Sequence, residues 1–192
     1  LMKNLIIITA PSGAGKTTLI REVLKNYNNI KFSVSHTSRE IRDNEKNGVD
    51  YYFVSKQEFK RGVELEQFVE WNFHFDCYYG TSKSEIIDSI NRKIPLLLEL
   101  DVNGALAIQK LYPNQTISIF IEPPSLDDLK IRLEKRGSDT MVKINRRLQR
   151  IEFELSHKSN FDFTVVNDKL EVATNQILEI IKKETKGVSY VA

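Results

Sequence analysis

An apolar run leads into a glycine-containing loop: Leu5-Ile6-Ile7-Ile8-Thr9, then Ala10-Pro11-Ser12-Gly13-Ala14-Gly15-Lys16-Thr17. A helical pattern follows, with apolar residues at 19, 20, 23 and 24 on one face. The order of strand, loop and helix and the spacing of Gly13, Gly15 and Lys16 match the phosphate-binding loop pattern, except that Ala10 replaces its first glycine. The segment therefore predicts a buried strand, a phosphate-binding turn and an amphipathic helix.

The residue types in this loop suit a nucleoside triphosphate. A triphosphate needs several main-chain N–H groups converging on its oxygens, and Gly13 and Gly15 allow backbone conformations that a Cβ would obstruct. The start of the helix adds its positive end. Lys16 would bridge the β- and γ-phosphates, and the Thr17 hydroxyl would ligate Mg²⁺. The alternative is an ordinary glycine-containing turn, but the strand-loop-helix context favours a nucleotide site.

Three further apolar runs predict the rest of a sheet: Leu96–Leu98, Ile117–Ile121 and Phe163–Val166. Short runs without alternation are typical of strands buried on both faces of a parallel sheet. Helical patterns lie between them, and the last one should begin with Asp168 and Glu171 as a capping pair and end near Gly187. Strands alternating with helices predict an α/β fold with a parallel sheet core flanked by helices.

Residues 33–92 depart from this alternation. Tyr51–Val54 and Phe68–Trp71 are typical of short, half-exposed strands, and a helical stretch, Ser55–Val63, lies between them. We expect this region to form an inserted lobe of mixed α+β structure.

Composition excludes several classes of protein. The 192 residues contain 28 Lys and Arg against 26 Asp and Glu, so the net charge of +2 identifies neither a nucleic-acid nor a membrane binder. No apolar stretch approaches the roughly 20 residues needed to cross a bilayer. The single cysteine, Cys77, can form no internal disulfide, which favours a reducing compartment and hence a cytoplasmic location.

The inserted region contains further motifs: Ser33 to Arg42, Gly48 to Val54, Phe68 to Trp71 and Tyr78 to Ser82. Together with the loop, they resemble guanylate kinase, in the nucleoside monophosphate kinase family of P-loop proteins, and the match runs in register from about Leu5 to Lys182. The resemblance implies a P-loop core (1–32, 93–123 and 159–192), a GMP-binding lobe (33–92) and a helical lid (124–158). It also implies phosphoryl transfer from MgATP to GMP, and to dGMP.

The resemblance assigns the GMP site residue by residue. Arg39 and Arg42 match the arginines that hold the GMP phosphate, where planar forks suit an anion. Tyr51 and Tyr79 match tyrosines that donate to the same phosphate, and Glu70 matches the acid that accepts from guanine N1 and the exocyclic amine. The full set implied for GMP is Ser35, Arg39, Arg42, Tyr51, Glu70, Tyr79, Gly80, Thr81, Glu99 and Asp101.

Each of these residues has a simpler interpretation. The two arginines lie among Glu40, Asp43 and Glu45 and could form a solvated salt-bridge face. The tyrosines could be ordinary strand aromatics, and Glu70 could be a charge on an edge strand.

Two acids close the run at 96–101. Glu99 and Asp101 are expected on the same strand face at its carboxyl end, where ligands of open parallel sheets bind. Both match family acids, although many members have Asp where this chain has Glu99. We expect Asp101 to act on Mg²⁺ through water or in the GMP pocket, with Glu99 supporting it. The alternative is an exposed pair at a strand end.

A basic segment follows at 130–150, with eight Lys or Arg and two acids, a net charge of +6. It resembles the family's lid, and we expect a helix from about Thr140. The ATP-binding set implied is Ala10, Pro11, Ser12, Gly13, Ala14, Gly15, Lys16, Thr17, Thr18, Arg132, Arg136 and Asn167. The catalytic set implied is Lys16, Arg39, Arg132, Arg136 and Arg147. Asn167 matches the asparagine that contacts adenine in the family, but it could instead cap a helix.

Three other functions remain as alternatives. The basic segment could bind nucleic acid, although no reader motif accompanies it. A guanylate-kinase-like interaction module would keep the fold without a working phosphate loop, and a kinase for AMP or UMP would need a different base pocket. The sequence leaves His36, His74 and His157 as surface or packing residues. We expect small-molecule partners, ATP and GMP, no nucleic acid or membrane, and a monomer or homodimer.

Overall fold

Strands and helices alternate along the chain in the computed structural model, which describes residues 3–74, 76–125, 129 and 141–185, without the side chains of 141–148. The strands are β1 (Leu5–Thr9), β2 (Lys31–Phe32), β3 (His36–Thr37), β4 (Tyr52–Phe53), β5 (Phe68–His74), β6 (Cys77–Ser82), β7 (Leu96–Glu99), β8 (Thr116–Glu122) and β9 (Phe163–Val166). The helices are α1 (Lys16–Asn26), α2 (Lys56–Glu64), α3 (Lys83–Arg92), α4 (Val102–Leu111), α5 (Met141–Ser156) and α6 (Leu170–Glu184).

The central sheet is parallel, as the four apolar runs predict. Its strand order is β2-β7-β1-β8-β9, and every neighbouring pair is parallel. Alternate residues of β1 enter opposite cores: Ile6 and Ile8 pack with α1 and α6, whereas Leu5 and Ile7 pack with α3 and α4. All four side chains are fully buried. Each contributes about 1.5–3 kcal/mol through burial, which explains the continuous apolar run.

A second, mixed sheet forms the inserted lobe. Its order is β4-β3-β6-β5, with β3 parallel to β4 and antiparallel to β6. Helix α2 covers it and begins with a capping box between Ser55 and Glu58. The parallel core with flanking helices and a mixed lobe confirms the predicted fold class. The exact domain bounds stay a prediction.

Aromatic stacking holds α2 on this sheet. The Phe59 ring stacks on Phe68 at 4.5 Å and on Tyr78 at 5.2 Å between ring centroids. Gly80 lies directly beneath this stack, since a Cβ there would meet Phe59 at 2.8 Å and Phe68 at 3.0 Å. The glycine in the Tyr-Tyr-Gly-Thr-Ser segment therefore has a packing reason that is independent of any ligand.

Several predicted boundaries differ from the observed ones. The capping pair proposed for the last helix is wrong, because α6 follows Lys169 and has no side-chain cap. The predicted strand at 51–54 shortens to the two residues of β4. The helix expected from Thr140 is observed as α5, whereas Arg132, Arg136 and Gly187 lie outside the described residues. None of the helices in the described part of the chain has the length and apolar character to span a bilayer.

We predict that Gly80→Ala lowers the free energy of unfolding by about 1–3 kcal/mol, because the added methyl group displaces the stacked rings of Phe59 and Phe68. Urea denaturation measures the change. Ser82→Ala is the matched control on the same strand, since its hydroxyl is hydrogen-bonded to the exposed Ser84 hydroxyl. Equal stability of the two variants would contradict the packing role of Gly80.

Candidate active site

The loop after β1 has the backbone conformation that its glycines predict. Gly13 and Gly15 have φ values of 92° and 87°, in the left-handed region that side chains disfavour. The Ala14 N–H donates to the Pro11 carbonyl at 3.1 Å, and Gly15 is the N-cap residue of α1. The amino end of α1 thus opens at the carboxyl edge of the central sheet, where it can receive an anion.

Asn167 supports this loop from behind. Its Nδ2 donates to the Ala14 carbonyl at 2.7 Å, and a Cβ on Gly15 would lie only 2.6 Å from the same nitrogen. Asn167 is buried and follows β9, and the N-cap residue of α6 is Lys169. The interpretation of Asn167 as a helix cap is therefore wrong. Its contact with adenine stays a prediction.

The carboxyl end of β7 meets the phosphate loop. Lys16 Nζ donates to the Leu100 carbonyl at 2.8 Å and lies 4.0 Å from Glu99 Oε1. The same Glu99 oxygen accepts from the Thr17 hydroxyl at 2.8 Å. A hydroxyl and a carboxylate side by side are the hard oxygen ligands that Mg²⁺ prefers, so this pair fits a nucleotide-bound magnesium.

The half-buried Glu70 carboxyl group lies between the lobe and α4. Its Oε1 accepts from the hydroxyl of Thr81, which is itself fully buried. On the other side, a Cβ on Gly104 would lie 2.9 Å from Glu70 Oε2. Burial raises the pKa of Glu70 to about 7; the Thr81 hydrogen bond opposes this shift and the charge of Asp101 adds to it. The Glu70 carboxyl group is therefore partly protonated near neutral pH, whereas an exposed glutamate on an edge strand would be ionised.

Asp101 lies just beyond β7, where it is the N-cap residue of α4. Its Oδ1 accepts from the Gly104 N–H at 2.9 Å. Its Oδ2 accepts from Asn72 Nδ2 at 3.1 Å and from Arg150 Nη2 at 3.0 Å. Asp101 therefore joins the core, the lobe and α5, while Glu99 is the acid in contact with Thr17. The metal role predicted for Asp101 stays a prediction.

Arg39 and Arg42 have different surroundings. The Arg39 guanidinium lies 2.7 Å from Glu45 Oε1 and 5.6 Å from the centre of the Tyr51 ring. Arg42 is exposed, and its main-chain N–H donates to the other Glu45 oxygen at 3.0 Å. Arg39 thus makes an ion pair, as the simpler interpretation allows, but it does so half-buried beside a tyrosine.

Tyr51 and Tyr79 lie together on the inner side of the lobe. Their ring centroids are 6.0 Å apart, and Tyr79 stacks on His74 at 4.6 Å. Burial raises the pKa of the Tyr51 hydroxyl, and the nearby charge of Glu99 raises it further. Tyr51 is therefore within electrostatic range of Glu99, the last residue of β7.

A cavity of about 300 Å³ lies beside the phosphate loop. It is lined by Ala10, Pro11, Ser12, Gly13, Gly15, Lys16, Thr17, Thr18, His74, Asp101, Arg150 and Glu154. His74 lines this cavity and also packs against Tyr79, as the interpretation of it as a packing residue allows. Burial lowers its pKa, and the charges of Arg150 and Lys16 act in the same direction while Asp101 opposes them.

The remaining predicted residues are less closely tied to the cavity. The Ser35 carbonyl accepts from the Tyr52 N–H at 2.9 Å within the lobe sheet. Arg147 lies on α5, but its side chain is not among those described, and Arg132 and Arg136 lie outside the described residues.

The parallel sheet, the phosphate loop and the inserted lobe define a P-loop protein of the nucleoside monophosphate kinase fold. The family model for guanylate kinase matches residues 2–184. A guanylate kinase of Mesomycoplasma hyopneumoniae is 46% identical over 189 residues, covering 95% of this chain and 96% of that protein. One from Chlorobaculum tepidum is 42% identical, with 87% and 86% covered.

A solved structure agrees with these sequence matches. The crystal structure of guanylate kinase from Anaplasma phagocytophilum superimposes with a TM-score of 0.82 at 29% identity, covering 97% of this chain and 88% of that one. This chain belongs to the guanylate kinase family and is a kinase.

We predict that Asn167→Ala lowers the free energy of unfolding by about 1–3 kcal/mol, because the buried Ala14 carbonyl loses its donor. Thermal or urea denaturation measures this loss. Asn26→Ala is the matched control: its amide also donates to a main-chain carbonyl, that of Glu22 at 2.7 Å, but at an exposed helix end. The control should change stability by less than about 0.5 kcal/mol; similar losses in both variants would contradict the special position of Asn167.

Proposed function

We propose that this protein transfers the γ-phosphoryl group of MgATP to GMP, and to dGMP, giving ADP and GDP. The observation that carries the proposal is that the phosphate loop and the Glu70 carboxyl group both lie at the carboxyl end of β7. The phosphate loop ends at Lys16 and Thr17, the acid pocket is formed by Glu70, and both reach the residues that follow β7. A donor polyphosphate and an acceptor nucleotide can therefore approach each other at this edge of the sheet.

Guanine selection rests on Glu70. An ionised carboxylate accepts two hydrogen bonds, and guanine offers two donors, N1–H and the exocyclic amine, on one edge. Adenine has an acceptor at N1, so its approach would leave the half-buried carboxylate without the donor that guanine N1–H supplies. Such a mismatch can reduce kcat/KM by roughly 10⁴. The Thr81 hydroxyl donates to one Glu70 oxygen. Gly104 has no side chain and so leaves space for the other oxygen.

The acceptor phosphate would be held by the arginine and tyrosine groups of the lobe. Arg39 lies next to Tyr51, and Tyr79 stacks on His74, which lines the phosphate-loop cavity. These contacts support a phosphate site between the lobe and Lys16. We assign Arg42, whose side chain is exposed, to the same phosphate.

The donor phosphates would lie against the main-chain N–H groups of the loop, with Lys16 between the β- and γ-phosphates. Thr17 and Glu99 would hold Mg²⁺, with Asp101 acting through water. Bound there, Mg²⁺ would neutralise phosphate charge. Arg132, Arg136 and Arg147 are proposed to complete the lid over ATP, and Asn167 to contact adenine.

The protein groups then act by alignment and charge neutralisation. Lys16 stabilises negative charge on the transferring group, and the lobe holds an acceptor oxygen in line with the γ-phosphorus. No general base is required, because the phosphate oxygen of GMP is already anionic near neutral pH. Closure of the lobe and lid would exclude water and prevent hydrolysis of ATP.

The alternatives fit less well. An AMP or UMP kinase would not need a half-buried acid at position 70, and an interaction module would not need Lys16 and Thr17 beside Glu99. A nucleic-acid partner has no feature in its favour beyond the basic segment. A cytoplasmic location and assembly as a monomer or homodimer stay predictions.

A coupled assay of ADP release tests the proposal. The purified protein is incubated with MgATP and, in parallel, GMP, dGMP, AMP or UMP. We expect rapid turnover with GMP and dGMP and at least 10³-fold lower kcat/KM with AMP and UMP. Equal rates with all four acceptors would overturn the guanine assignment, and turnover without any acceptor would indicate an ATPase.

We predict that Lys16→Ala lowers kcat by at least about 10²–10³-fold, because the transferring phosphate loses its main cation. The fold should persist, since the Lys16 side chain is partly exposed and makes one main-chain hydrogen bond. Lys25→Ala, an exposed lysine on the same helix, should leave kcat unchanged. An active Lys16→Ala variant would exclude the proposed role.

We predict a pH-dependent loss for Glu70→Gln. With a pKa of about 7, Glu70 in the free protein is half-protonated near neutrality, and the protonated form cannot accept both guanine donors. The wild-type kcat/KM for GMP should therefore rise between pH 6 and 8. Ionisation of the GMP phosphate affects both proteins equally, so the ratio of wild type to variant isolates Glu70.

For Glu70→Gln we also expect at least a 100-fold lower kcat/KM for GMP with an ATP KM within about threefold of wild type. Glu64→Gln, at an exposed end of α2, is the control. A constant ratio of wild type to Glu70→Gln across this pH range would remove Glu70 from the base pocket.

A further inference from the structure

Two carboxylates line the cavity beside Lys16. Glu154, on α5, has only 4% of its surface exposed, and its Oε2 accepts from the Ser12 N–H in the phosphate loop at 3.1 Å. Asp101 accepts from Asn72 of the lobe. Both acids would repel a polyphosphate, and Lys16 is already close to the third acid, Glu99. A cation held against these two acids would therefore favour phosphate binding, in addition to the Mg²⁺ and the lid arginines proposed above.

Arg150 supplies that cation. Its Nε donates to Glu154 Oε1 at 2.9 Å and its Nη2 to Asp101 Oδ2 at 3.0 Å, so one guanidinium contacts both acids with two different nitrogens. An ammonium group lacks this planar fork, which makes arginine the suitable residue. Arg150 also lines a second cavity, of about 190 Å³, on the side of Val102 and Asn103, so its ion pairs form a shared wall between the two spaces.

The contacts of Arg150 connect the two nucleotide sites. On one side Glu154 holds the Ser12 N–H, at the entrance of the phosphate loop. On the other side Asp101 holds Asn72, on the strand that contains Glu70 and ends at His74. These contacts join residues 12, 72, 101, 150 and 154, which come from four separate parts of the chain.

We propose that Arg150 is a positioning residue for both nucleotides: it neutralises Asp101 and Glu154 beside Lys16 and fixes the phosphate loop relative to the lobe. The inference rests on the proposed function in naming ATP and GMP as the ligands. Arg150 acts through the two acids and is not itself required to touch substrate. Loss of Arg150 leaves Asp101 and Glu154 without their cation in the cavity that the phosphates must enter. The negative charges of the two acids then repel the phosphates, and nucleotide binding weakens.

Calorimetric titration with ADP and with GMP tests this role without turnover. We compare wild type, Arg150→Met, which keeps an apolar stem, and Arg150→Lys, which keeps the charge. Arg92→Met is the matched control, because Arg92 also pairs with an acid one helical turn away, Asp88, but at the surface. We expect Arg150→Met to weaken ADP binding at least tenfold and GMP binding at least threefold, Arg150→Lys to recover part of both losses, and the control to change neither.

Salt separates charge neutralisation from simple packing. If Arg150 acts by charge, the loss in Arg150→Met should shrink between 20 and 500 mM NaCl, because salt screens the repulsion between the acids and the phosphates. Affinities within twofold of wild type, or a loss independent of salt, would overturn the proposal. If Arg150→Met does not fold, the double variant Arg150→Met/Glu154→Gln removes the buried unpaired acid, and the same salt comparison is made with it.

The two proposals fail in different ways. A wild-type protein that binds ADP but does not phosphorylate GMP would contradict the proposed function, while ADP binding by the Arg150 variants would still measure the positioning role. If the wild-type protein phosphorylates GMP and Arg150→Met binds ADP and GMP as tightly as wild type does, the proposed function stands and the role of Arg150 is excluded.

Discussion

The parallel register between β1 and β7 is the constraint on which the whole site depends. It sets Ile8 opposite Glu99, so the loop that follows β1 and the residues that follow β7 leave the sheet side by side. Lys16 and Thr17 then reach the Leu100 carbonyl and Glu99 through direct hydrogen bonds. A slip of one residue would turn Glu99 to the opposite face of the sheet and remove the partner of the Thr17 hydroxyl.

The sequence predicts most of the core because burial leaves a strong local signal. Strands enclosed on both faces must be apolar throughout, so the runs that form β1, β7 and β8 are visible without any structure. The run of β9 is apolar as well, although Thr164 and Val166 are exposed on this edge strand. The short strands of the lobe carry less information: β3 and β4 have two residues each and are fixed by pairing with distant segments. The cap predicted for α6 is wrong because Asp168 fits the capping pattern, yet the helix begins two residues later at Leu170.

The residues of the site also differ in how strong a local signal they leave in the sequence. Its phosphate loop is a local motif, and the residues of the lobe were found through family resemblance. Asn72, His74, Arg150 and Glu154 were missed because each acquires its role through contacts between distant parts of the chain; Ser12 and Glu154 are 142 positions apart. The only available signal was the density of positive charge around Arg150, and charge density alone does not reveal which cation faces a buried acid.

Gly104 illustrates how a residue without a side chain can set the size of a site. The carboxyl group of Glu70 occupies the space that a methyl group at position 104 would need. The two positions therefore share one volume: lengthening the residue on α4 would require shortening the acid on β5, for instance to aspartate. A side chain on the helix at position 104 is therefore compatible only with a smaller residue at position 70, so the packing of α4 limits which acid β5 can present.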